Sequence, residues 1–144
     1  MKARRPLFLS VCCWLLAMPA MLHAELVVVV NARCGVAAMT RSEVINVFFG
    51  RNRQFFNGIA VEPVDLADAH PDRQRFYNSL VGKDLSDVNA YWARQVFSGR
   101  MPPLARVASA DEVLRWVVSH PGGIGFMDST KVDARVRVVY ELGQ

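Results

Sequence analysis

The sequence is poor in the features that would fix a function at once. It has three cysteines in 144 residues, and two of them, Cys12 and Cys13, fall in the first 24 positions. Cys34 is then alone in the rest of the chain, which excludes an intramolecular disulfide there. Burial as a small apolar side chain is the expectation for it. Basic runs are also missing. The net charge of +4 rests on an N-terminal cluster: without Lys2, Arg4 and Arg5 the 17 Lys+Arg become 14 against 13 Asp+Glu. A near-neutral remainder carries no nucleic-acid footprint. There is no internal repeat, low-complexity tract or linker, and no cofactor motif.

What is present begins with a leader. A positive start is followed by an apolar run over residues 7–18, too short and too early for a bilayer span, and then by Leu22-His23-Ala24 with its small last residue. This is the grammar of a secretory signal peptide cut after Ala24. An uncleaved anchor is the rival reading. A lipoprotein cut at Cys12 or Cys13 is the other, but residues 9–12, LSVC, match a lipidation box poorly. The expectation is therefore a signal peptide at 1–24, a single domain at 25–144, a periplasmic location, and no stable membrane insertion after cleavage.

Residues 26–30, LVVVV, form a continuous β-branched run. It reads as a strand buried on both faces, of the kind found inside a parallel sheet. Thr40 with Glu43 makes a capping box for a first helix, whose apolar face is Val44, Val47 and Phe48 and whose stop is Gly50. Residues 60–66 read as a second strand, made an edge or an interrupted one by Pro63. Helices follow at 72–80 and from Ser86 or Asp87 to Ser98. Met101-Pro102-Pro103 is extended. Ser109 with Glu112 caps a fourth helix that stops before Pro121, and strands follow in 122–127 and 135–140. The order is roughly β-α-β-α-α-α-β-β. The fold class expected is α/β, a mixed sheet with helices on both faces.

These segments carry a likeness. MTRSEVINVFFGR (39–51), FFNGIAVEPVD (55–65), YWARQVFSG (91–99) and PGGIGFMD (121–128), in that order, resemble periplasmic phosphate-binding proteins of ABC transporters. The match is to short relatives with a single lobe. The resemblance implies one lobe of a periplasmic-binding-protein-like fold and a solute-binding role in transport; separately, no nucleophile motif or serine triad supports an enzyme, and none is expected. Full-length members close two lobes over the ligand. One lobe leaves a small anion exposed to water, where charge attraction at 4 Å falls to about 1 kcal/mol.

The family's anion-binding run is Arg-x-Asp-Gly-Ser-Gly-Thr, and LADAHPD (66–72) lies over it. Asp68 matches. Leu66 replaces the Arg and its bidentate fork. Ala69 and Pro71 replace the glycines, and Pro71 has no N–H to offer an anion. Asp72 replaces the Thr and is expected to cap its own helix. Arg73 and Arg75, just inside that helix, are read as surface cations within reach of an anion.

Other constellations have plainer readings. Asp68, His70 and Asp72 alternate, but the spacing fits no zinc or calcium signature, so a turn and a cap is the reading. Cys34 with His70 or His120 lacks a nucleophile motif. His120 is expected to end its helix as a donor or cation. Tyr91, Trp92, Phe97 and Trp116 are assigned to the core. Phe48, Phe49, Phe55 and Phe56 crowd a turn, and adjacent aromatics cannot all point inward. GGIGF precedes a strand rather than a helix and so lacks phosphate-cradle geometry.

Two functions stand open. One is a weak binder of phosphate or another small anion, with Asn31, Thr40, Asp68, His70 and Arg73 as ligand-binding residues on one concave surface. A homodimer would complete its cleft. The other is an envelope protein–protein interaction module that has lost phosphate binding. It would present an apolar surface there or around Phe55 and Phe56.

Overall fold

The computed structural model describes residues 24–143. The signal peptide expected at 1–24 lies outside the described residues except for Ala24. Among the described residues, no helix is long and apolar enough to cross a membrane.

Five strands form one sheet in the order β3-β2-β4-β1-β5. They are β1 (Leu26–Asn31), β2 (Glu62–Leu66), β3 (Ala105–Val107), β4 (Gly123–Asp128) and β5 (Val136–Glu141). The helices are α1 (Arg41–Phe48), α2 (Pro71–Val81), α3 (Leu85–Phe97) and α4 (Ala110–Ser119). The mixed sheet of the expected α/β class is present, with two corrections. First, β1 is an interior strand and its first five residues are buried, but it runs antiparallel to both β4 and β5. A continuous apolar run reports two covered faces and says nothing about neighbour direction. Second, β3 was not anticipated. Three residues, only partly covered, leave too short a pattern to read.

Pro63 is tolerated in β2 for a local reason. β2 pairs with β4 at Glu62 and Pro63, whereas β3 joins only from Val64. The proline thus sits where the strand has a neighbour on one side, which is where a missing donor costs least.

β4 fixes how helices cover the sheet. On one face, Gly123 and Gly125 let α4 approach: a Cβ on Gly125 would lie 2.7 Å from Val113 Cγ1 and 2.9 Å from Val64 Cγ1. On the other face, Phe126 stacks on Phe76 of α2 at 3.8 Å and meets Phe48 of α1 edge-on at 5.8 Å. Ile124 and Phe126 are fully buried in the same core as Val44, Val47 and Leu80. Gly123 and Gly125 of GGIGF therefore serve close packing of helix on strand.

The aromatic crowding resolves unevenly. Phe48, Phe49 and Phe55 are buried, and Phe56 stands out at 81% exposure. Phe97, assigned to the core, is 91% exposed. Cys34 is buried and carries no disulfide.

Candidate functional site

Helix α2 buries one stripe: Arg73, Phe76, Tyr77 and Leu80. The spacing is that of a single helical face, so Arg73 enters the core with its apolar neighbours. It is not on the surface, as expected, but fully buried. Asp65 of β2, also fully buried, meets it there. Val64 points toward α4, so the alternation of the strand turns Asp65 toward α2.

The resulting network is dense. Arg73 Nε donates to Asp65 Oδ2 at 2.9 Å, and Tyr77 O–H donates to the same oxygen at 3.0 Å. Asp65 Oδ1 accepts the Leu66 N–H at 2.8 Å. Arg73 Nη1 donates to Asp68 Oδ1 at 2.8 Å. Arg106 of β3 reaches the same carboxylate, with Nη1 at 3.1 and 3.2 Å from its two oxygens. Asn89 of α3 touches Asp68 at 3.5 Å. Arg73 Nη2 is buried and has no acceptor among the described residues. Its guanidinium also lies over the Tyr77 ring, 5.3 Å from the centroid.

Burial and the adjacent Asp65 charge push the Tyr77 phenol well above its ordinary value. Burial raises Asp65 as well, with the Arg73 charge and three donors opposing it. Two arginines and two aspartates thus balance to zero within a few ångströms. Each charge is held by the others.

The helix start is closed too. The cap is His70 rather than Asp72: Nδ1 accepts the Asp72 N–H at 3.2 Å, and Pro71 is the first helical residue. An accepting Nδ1 places the ring hydrogen on Nε2. Asp72 instead pairs with Arg75 at 2.8 Å. Asp68 thus turns to the arginines while His70 and Asp72 meet each other at the helix start, and no group of three or more His, Cys, Asp and Glu among the described residues could hold a metal ion.

Asn31 and Thr40 lie elsewhere. Asn31 Nδ2 donates to the carbonyls of Val117, Val118 and His120 at the end of α4. It sits at the start of β4, whereas the loop after β2 lies toward the end of β4, so the two are at opposite ends of the sheet. Thr40 makes its capping box with Glu43, and neighbouring Arg41 donates to Leu80 O at the far end of α2. Asp68, His70 and Arg73 are brought together; Asn31 and Thr40 do not join them. His120 ends α4 as expected. Its Nδ1 lies 2.7 Å from Trp116 O, so it must be the donor, and its ring stacks on Trp116 at 3.9 Å.

Asp65, Tyr77, Asn89 and Arg106 were not singled out from sequence. The available signal was the four-residue stripe on α2: a charged residue at its head needs a buried partner.

The fold recurs in known structures. An ABC-type phosphate transport receptor from Vibrio cholerae aligns with TM-score 0.64 and 18% identity over 80% of this chain. The chain has the fold of phosphate-transport receptors. It spans 45% of that receptor's length. A protein from Clostridium perfringens, described as a phosphate ABC transporter substrate-binding protein and solved with bound phosphate, aligns with TM-score 0.64 and 12% identity. There too the match covers 80% of this chain, and 44% of that one. At such identity the receptor fold is what is shared. No family model and no curated protein matches the sequence.

Proposed function

We propose that this chain is a periplasmic single-lobe module, exported by a signal peptide cut after Ala24, that has kept the receptor fold and given up phosphate capture. It acts by contact with another protein of the cell envelope. One observation carries this reading: the cationic chemistry near the start of α2 is spent inside the chain. Arg73 is committed to Asp65 and Asp68, Arg106 to Asp68, and the first helical turn to His70 and Pro71. A neutral, self-paired cluster offers little to an external anion.

The partner surface on this reading runs along α3. Phe97 stands exposed beside a groove of about 530 Å³ that Trp92, Ala93, Val96, Pro103 and Leu104 help to line. Exposed aromatics beside an apolar floor are what interfaces use. The named structural neighbours are transport proteins, which supports a non-enzymatic role.

Calorimetry with inorganic phosphate tests the reading. The mature wild-type chain is expected to give no saturable heat in the micromolar range. Micromolar binding by the isolated chain would overturn the proposal.

A second reading, weak binding of phosphate or another small anion, is favoured by Arg73 Nη2. A buried guanidinium nitrogen without an acceptor is a donor left over for an oxyanion.

A further inference from the structure

We propose that Asp68 is a built-in anion that holds shut a latent oxyanion site formed by Arg73 and Arg106 with Asn89 at its rim. The inference rests on the reading that the wild-type chain does not capture phosphate, and it deepens that reading by naming what blocks capture.

Asp68 is unlike Asp65. Asp65 is fully enclosed and saturated with donors, whereas the Asp68 side chain is 59% exposed at the mouth of the α3 groove. Even so, guanidinium groups from two separate elements, α2 and β3, converge on it. One of them belongs to a fully buried arginine with a nitrogen to spare. Arg106 reaches both Asp68 oxygens through a single nitrogen, which is a forked contact and not a parallel bidentate one. A carboxylate tied to the backbone has two oxygens and a fixed tether. Held there, it pairs with Arg73 Nη1 and Arg106 and leaves Arg73 Nη2 without an acceptor. A free oxyanion with three or more oxygens has acceptors for all three. The charge sum points the same way. With Asp68 the cluster is neutral; without it, Arg73 and Arg106 face Asp65 alone and one positive charge is left at a groove mouth open to solvent. The chemical class is a small inorganic oxyanion, phosphate or sulfate.

The test is calorimetry with sodium phosphate and sodium sulfate on mature wild type, Asp68→Ala, Asp68→Asn and the double variant Asp68→Ala/Arg106→Ala. Thermal melts establish that each variant is folded. Asp68→Ala is expected to bind both oxyanions on the order of tenfold tighter than wild type, the worth of about one charge-assisted hydrogen bond. The two anions should compete, and the double variant should lose the gain. Asp68→Asn, which keeps the side-chain volume, should show a smaller gain and decides the matter if Asp68→Ala does not fold. A folded Asp68 variant that binds no tighter than wild type overturns the inference. So does a gain that persists without Arg106. Failure of the underlying reading looks different: wild type itself would bind phosphate at micromolar concentration.

Discussion

Tyr77 cannot ionise where it stands without setting a second negative charge beside Asp65. Its phenol is fully buried and already donates to that carboxylate. The folded-state pKa therefore lies above the ordinary phenol value near 10.0. The folded state keeps a proton that the unfolded chain releases, so the stabilisation is complete below about pH 10 and declines as pH rises past it. Denaturant midpoints taken across that range should fall for wild type. Tyr77→Phe should start lower, by about 1–3 kcal/mol for the lost hydrogen bond to a charged group, and show a flatter alkaline decline. An unchanged decline in Tyr77→Phe would remove Tyr77 as its source. At this scale the sequence was legible in its local chemistry and not across the core. The Thr40–Glu43 box could be read because its two partners are three residues apart. The Arg73–Asp65 pair could not, because it depends on how α2 lies against β2.

At the scale of elements, periodicity decided more than residue type. Val88 and Trp92, four apart, are the buried residues of α3. Phe97 is five positions beyond Trp92, far round the helix from that face. Its aromatic ring alone points to the core, and the helical period excludes it. The glycines of β4 give the complementary lesson. Their value lies in the absence of a side chain where α4 crosses the sheet, and nothing local announces that. Gly125→Ala is expected to cost about 1–3 kcal/mol by overpacking against Val113 and Val64. Gly122→Ala should cost more, because its neighbour is the rigid carbonyl of Ala60. Chemical denaturation measures both. A Gly125→Ala variant as stable as wild type would mean that α4 can shift freely over β4.

At the scale of the whole molecule, an exposed Phe97 beside an apolar groove predicts association. Sedimentation of the mature protein should show weak, concentration-dependent self-association through this patch, abolished by Phe97→Asp. The substitution should leave thermal stability within about 0.5 kcal/mol, as an exposed position allows. A strict monomer at high concentration would remove self-pairing. A destabilised Phe97→Asp would contradict the exposure of the ring. The plan of the sheet also bears on how the protein is made. β1, the first strand, is sandwiched between β4 and β5, the last two. While a ribosome is still building the chain, β1 has no flanking strands to join. The polypeptide must be nearly finished before its middle can close, and contacts so distant along the chain form slowly.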